Sequence, residues 1–341
     1  FSSRRRHTRS GPQSRGLGDV YKRQLLDQAV FKLLHNEILD THHDGAILET
    51  NTRLAFTTDS FVVSPIIFPG GNIGELAVNG TVNDLAMCGS IPKHISLGLI
   101  IEEGLRMDEF WEVLCGVKAA CEKANVHIVT GDTKVVERGK GDKIFINTTG
   151  IGELHPNADI STKRIVPGDK IIVSGPVATH GMAIMSLREG IAFETEIESD
   201  TCALNHTIIQ LMDGMGEFIH LLRDPTRGGV AATLNEIAGD TGFGMNIQQS
   251  VIPMDPRVAN ACELLGIDPL YVANEGIFIA IVDPLKAETV LNLLRSLEFG
   301  QEAAIIGEVV EEHANKVVLT SAIGGKRVVN MQVGEQLPRI C

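Results

Sequence analysis

The stretch Arg223-Asp224-Pro225-Thr226-Arg227-Gly228-Gly229-Val230 decides how this chain is read. An apolar run, Phe218 to Leu222, precedes it, and a helical pattern, Val230 to Ala238, follows it. Strand, glycine pair and helix in that order turn main-chain N–H groups toward a ligand, and a phosphate is the ligand a helix N-terminus suits. Arg227 adds positive charge beside Gly228 and Gly229, while Asp224 and Thr226 add oxygen atoms. No Walker A loop and no Rossmann glycine fingerprint is present. The stretch therefore points to a mixed α/β chain with a different kind of phosphate site.

The flanking patterns extend that reading. Upstream, apolar strand patterns at 54–58, 94–103, 127–130 and 143–150 alternate with helical ones at 73–87 and 107–124. A polar stretch from Leu154 to Val166, with Pro156 and Pro167 about it, separates them from a second set. That set has strands at 169–174, 218–222, 277–282, 304–310, 316–320 and 326–330, and helices at 180–188, 201–212, 230–238, 258–265 and 285–297. The fold class is α/β of the α+β type, with domains at 25–155 and 165–330 and a tail at 331–341.

Acidic residues recur where these strands end: Asp59 in TTDS, Asp132 in GDTK and Asp224. Asp84, beside Asn83, adds a fourth within a helix. Loops after strands are where α/β sheets carry their sites. Converging carboxylates repel unless a cation joins them, and magnesium with a nucleotide triphosphate meets that need. Each aspartate alone reads equally as an N-cap or a turn. Lys134, after Asp132 and Thr133, is suited to neutralising a transferring phosphate, or is a solvated loop lysine. Glu275, between Asn274 and Gly276 ahead of an apolar strand, is a candidate general base or an exposed turn. His42-His43-Asp44 is a weak metal candidate, because adjacent residues point apart on any regular element.

Composition narrows the function. Residues Phe1 to Gln24 are rich in Arg, Ser and Gly, lack apolar periodicity and resemble a translated sequencing adapter more than a transit peptide. Without them 23 Lys and Arg face 42 Asp and Glu, a net charge of −19. Such a chain suits neither nucleic acid nor an anionic membrane. No apolar run approaches membrane-spanning length. The six cysteines form no CxxC pair and suit reduced, buried thiols of a cytoplasmic protein. The last of them is the terminal residue. Gly334-Glu335-Gln336-Leu337-Pro338-Arg339-Ile340-Cys341 reads as a flexible arm, roughly 25 Å long when extended, or as a frayed end.

Together these segments carry a resemblance. TTDS, PGGNIGELAVNGTVNDLAMCGSIP at 69–92, TGDTKVVERG at 130–139, RDPTRGGV, CELLGIDPLYVANEG at 262–276 and the final PRIC resemble, in order, the HypE family of carbamoyl dehydratases. That family shares a PurM-like, AIR synthase-type ATP-binding fold with selenophosphate synthase and thiamine-monophosphate kinase. The resemblance implies an ATP-dependent enzyme that dehydrates an S-carbamoyl group on Cys341 to a thiocyanate, for the cyanide ligands of nickel–iron hydrogenases. It implies a HypF-type carbamoyltransferase as donor, a HypC–HypD complex as acceptor, and a homodimer paired through the N-terminal domains. It assigns catalysis to Cys341, Lys134 and Glu275. Nucleotide binding falls to Asp59, Asn83, Asp84, Asp132, Thr133, Asp224, Thr226, Arg227, Gly228 and Gly229, with Mg2+ held by Asp59, Asp84, Asp132 and Asp224. The family's HGSGG segment, expected near the start, is replaced here by the first 24 residues, which puts ATP binding by the recorded chain in doubt. Other readings are a small-molecule ATP-dependent ligase or kinase of the same fold, and a non-catalytic ATP-responsive scaffold.

Overall fold

A computed structural model describes Leu33, residues 51–190 and 196–331, and Ile340. The first 24 residues, His42 to Asp44 and Cys341 lie outside the described residues.

The N-terminal domain is a four-stranded sheet in the order β1-β6-β4-β5. Its strands are β1 (Leu54–Phe61), β4 (Ser90–Glu102), β5 (His127–Val136) and β6 (Ile144–Leu154). A small hairpin, β2 (Ile67–Phe68) with β3 (Gly71–Asn72), leads into helix α1 (Ile73–Met87). Asn72 starts that helix: its side-chain oxygen accepts the N–H groups of Gly74 and Glu75 at 2.9 and 3.2 Å. Helix α2 (Met107–Ala124) packs beside α1. Both cover one face of the sheet, where Leu97, Leu99 and Ile146 join their apolar residues in one core. The opposite face leaves Phe56 and Ile100 exposed.

The C-terminal domain is a seven-stranded sheet in the order β13-β12-β9-β11-β7-β10-β8. Its strands are β7 (Lys170–Val173), β8 (Ile219–Arg223), β9 (Gly244–Gln248), β10 (Ile279–Val282), β11 (Ala304–Val310), β12 (Val317–Thr320) and β13 (Lys326–Val329). Its helices are α3 (Thr179–Glu189), α4 (Asn205–Met215), α5 (Gly229–Thr241), α6 (Pro256–Leu265) and α7 (Ala287–Arg295). Ile171 and Val173 point into one core and Ile172 into another. A strand buried on both faces needs apolar residues at every position, which is why β7 and β10 read as unbroken apolar runs. Among the described residues no helix is long and apolar enough to cross a membrane.

The structure corrects three readings. The strand expected to stop at Thr58 runs on through Asp59 and Ser60 to Phe61. The loop expected at Gly131-Asp132-Thr133-Lys134 is the middle of β5, because parallel pairing with β4 continues to Val136. Cys88 and Cys115, expected to be buried, are exposed. Strand β9 was not anticipated, since five residues with two apolar side chains, Met245 and Ile247, give little periodicity.

Candidate active site

Four segments bring carboxyl groups together. Thr57 and Asp59 share the face of β1 that packs on α1, and the Thr57 hydroxyl donates to Asp84 Oδ2 at 2.8 Å. Burial raises the pKa of Asp84, and the charge of Asp59 adds to that rise. Asp224 follows β8 directly. Burial first, then the charge of Asp84, pushes it up to about 7. Glu275 is 4% exposed. Its pKa is raised well above the usual carboxylate range, first by burial and then by Asp224, Asp200, Asp59 and Asp84. Its Oε1 is buried with no hydrogen-bond partner among the described residues. Burial raises the pKa of Asp59 against the opposing charge of Arg227, and Arg223 acts on Asp84 and Asp224 while also pairing with Glu236 at 2.6 Å.

The loops carrying these groups are clamped from beneath. Asn274 is fully buried, and its Oδ1 accepts the Ala178 N–H at 2.6 Å. Its Nδ2 donates to the carbonyls of Pro225 and Val272 at 2.9 and 3.0 Å. One side chain thus fixes the Asp224 loop, the Glu275 loop and the start of α3. The Asp200 carboxylate accepts N–H groups from Glu275, Gly276 and His180, and burial raises its pKa to about 6. Gly276 permits that contact, since a Cβ there would lie 1.8 Å from the Asp200 carbonyl oxygen. Gly229, at φ +61, starts α5 where a Cβ would sit 2.5 Å from the Val272 carbonyl oxygen.

Of the expected residues, Asp59, Asp84, Asp224, Arg227 and Glu275 act on one another's charge. Thr226, Gly228 and Gly229 form the turn into α5, with the Gly229 N–H donating to the Thr226 carbonyl at 2.9 Å. Asp132, expected among them, is elsewhere in the chain. Asp132 and Lys134 pair with each other and stand opposite Gly98 and Ile100, on the outer face of the sheet. Thr133, 3% exposed, faces the helices. Side chains alternate along a strand, so Asp132 and Lys134 cannot share the face of Asp59. Asn83 lies beside the Glu275 loop, with its Nδ2 donating to the Glu275 carbonyl at 3.4 Å. Its amide donates to the Cys202 carbonyl at 3.0 Å and accepts the Leu204 N–H at 2.8 Å, which ties α1 to the C-terminal domain. Asn274, Asp200 and His180 escaped the sequence reading. Asn274 adjoins Glu275 in the quoted ANEG, but nothing local shows an asparagine or aspartate spending its polar atoms on distant loops.

A divalent cation fits this cluster in one way. Among the described residues no group of three His, Cys, Asp or Glu side chains is placed to ligate an ion alone. Magnesium commonly takes one or two carboxylates and completes its shell with phosphate oxygens and water. Mutually repelling acids with an orphaned oxygen suit that arrangement.

Comparison with known proteins supplies the lineage. Residues 42–154 match the family model "AIR synthase related protein, N-terminal domain", and residues 166–320 match its C-terminal counterpart. Carbamoyl dehydratase HypE of Bradyrhizobium diazoefficiens is 47% identical over 329 residues, covering 96% of this chain and 95% of that protein. A crystal structure of HypE in complex with ATP matches with a TM-score of 0.90 and 46% identity, covering 94% of this chain and 96% of that one. A HypE–HypF complex matches with a TM-score of 0.79 and 44% identity, covering 90% and 99%. With both AIR synthase-type domains in place and close to half its residues shared with HypE along nearly its whole length, the chain belongs to the HypE family of carbamoyl dehydratases, which serve hydrogenase maturation.

Proposed function

We propose that this chain uses ATP to convert an S-carbamoyl group on Cys341 into a thiocyanate. The observation that carries the reading is the convergence of Asp59, Asp84, Asp224 and Glu275 beside the Arg227-Gly228-Gly229 turn. ATP bound to a solved relative of the same fold supports the nucleotide. The solved HypE–HypF complex supports a HypF-type carbamoyltransferase as donor of the carbamoyl group. Asp59, Asp84 and Asp224 would hold Mg2+, which supplies charge neutralisation at the phosphates when bound. Thr226, Arg227, Gly228 and Gly229 would receive the phosphate oxygens.

The chemistry follows from leaving-group ability. An amide oxygen leaves poorly, whereas a phosphorylated one leaves well. The carboxamide oxygen attacks the terminal phosphate of ATP and releases ADP, while the nitrogen gives up one proton. Loss of inorganic phosphate and of the second N–H proton leaves Cys341 as S–C≡N, so one water is removed in total. Glu275 accepts a proton at the carboxamide nitrogen. Once ionised, a carboxylate of raised pKa is a stronger base than an exposed one. The cyanide then passes to a HypC–HypD complex. Asp132 and Lys134 enter through a homodimer, because the outer sheet face also presents Phe56 and Ile100 as an apolar surface for a second copy.

Intact mass after incubation with the transferase, carbamoyl phosphate and ATP tests the reaction. The carbamoylated protein loses the mass of one water, and Cys341→Ala shows neither adduct. ATP hydrolysis that depends on carbamoyl phosphate and the transferase, surviving in Cys341→Ala, overturns the proposal. Lys134→Ala keeps the carbamoyl adduct and blocks its dehydration. Heterodimers of Lys134→Ala with Glu275→Ala regain activity only if Lys134 serves its partner's site.

A further inference from the structure

The C-terminal arm is gripped at one point that this chemistry does not use. Ile340 is 3% exposed and belongs to the core that also takes in Ile184 and Ala273. Its main-chain carbonyl lies 2.8 Å from His180 Nε2. His180 is fully buried, meets Phe68 edge to face at 5.6 Å, and has Nδ1 2.7 Å from Ser199 Oγ. A carbonyl only accepts, so Nε2 carries the proton. A neutral imidazole has one N–H, so Nδ1 accepts from the Ser199 hydroxyl. Burial lowers the pKa of His180 to about 4, which keeps the ring neutral at pH 7. Ser199 is held in turn, with its Oγ accepting the Thr201 N–H at 3.1 Å and its own N–H donating to the Pro69 carbonyl at 2.8 Å. The His180 main-chain N–H donates to Asp200, the same carboxylate that accepts from Glu275 and Gly276. The ring that holds the arm and the loop that carries Glu275 therefore share one anchor.

We propose that His180 is a positioning residue: its Nε2–H fixes the Ile340 carbonyl and thereby sets the arm in register with the Glu275 loop. The proposal rests on Cys341 as the carrier of the reacting group. An arm that leaves to be loaded and returns to react needs a grip that is directional and weak. One neutral hydrogen bond changes the docked fraction by about 3- to 10-fold, enough to select a register without trapping the arm.

The test compares the unaltered full chain with His180→Leu, His180→Gln and Ser199→Ala, each supplied with the transferase, carbamoyl phosphate and ATP. In His180→Leu, carbamoylation of Cys341 proceeds at the unaltered rate or faster, and the KM for ATP is unchanged. Single-turnover dehydration falls about 10-fold in that variant. His180→Gln keeps a side-chain N–H donor and recovers most of the loss. Ser199→Ala, which frees the other tautomer, loses about 3-fold. Histidine 15N NMR gives a readout independent of turnover. His180 shows the Nε2–H tautomer with a hydrogen-bonded proton, and deleting residues 340 and 341 removes that proton's downfield shift. Equal dehydration rates in the Leu and Gln variants, or a His180 signal unmoved by the deletion, overturn the proposal. If the thiocyanate reading itself fails, the unaltered chain shows no dehydration while the NMR comparison still reports the grip.

Discussion

Two buried polar assemblies meet at Asp200, and they are built on opposite terms. In the acidic cluster, burial and then neighbouring carboxylates raise the pKa of Asp84, Asp224 and Glu275, and Glu275 Oε1 has no partner among the described residues. Around His180, both ring nitrogens are engaged, the ring is neutral, and Ser199 donates as well as accepts. Burial is costly for an unpaired charge and cheap for a satisfied neutral group. The cluster is thus unfavourable until something positive enters it, whereas the histidine assembly is complete as it stands. The difference separates a site that waits for a ligand from a contact that holds a segment of the chain.

The sharpest way to break the contrast is Glu275→Gln. This near-isosteric change removes the base, and dehydration falls about 1000-fold while carbamoylation persists, as single-turnover mass spectrometry will show. Next in size is Asn274→Ala, which leaves the Ala178 N–H and the Pro225 and Val272 carbonyls without their partner. It costs about 3 kcal/mol in denaturant unfolding and disorganises the site.

The pH dependence of stability distinguishes the two assemblies by sign. Asp200 and Asp224 have folded pKa values of about 6 and about 7, above the 3.8 of an ordinary aspartate. Their favourable contribution is complete below about pH 4 and is lost as pH rises through 6 and 7. Asp224→Asn therefore stabilises the magnesium-free protein at pH 8 by on the order of 2 kcal/mol, and Mg2+ with nucleotide narrows that gap. His180 has the opposite sign, with a folded pKa of about 4 against 6.5. Its contribution is present above about pH 6.5 and fades as pH falls toward 4, so His180→Gln flattens the acid limb of the stability profile. The smallest effect is that of Lys134→Met on folding. The Lys134–Asp132 pair is largely exposed, and its loss leaves the melting temperature unchanged even where turnover is blocked.

Much of the architecture was legible because long periodic segments and caps act locally. Helix α1 was read with the bounds the structure gives it, since Asn72 and the apolar pattern mark both its ends. The RGG turn was read as a helix start, and α5 begins at Gly229. The outward face of Asp132 was not legible for one reason: residue type and sequence neighbourhood do not tell which face of a strand a side chain occupies. A one-residue step along β5 turns Asp132 away from the helices.

The sequence by itself determined the two mixed domains, the carboxyl-bearing segments, the glycine turn and the terminal cysteine, since each is written in contiguous residues. Only the tertiary structure decided that Asp59, Asp84, Asp224 and Glu275 form one electrostatic unit. It also decided that Asp132 and Lys134 face outward, and that His180 meets Ile340 across 160 positions of the chain. Burial, mutual charge and hydrogen bonds between distant segments arise only once the chain has closed on itself, and those are the forces that turn a set of carboxylates into a site.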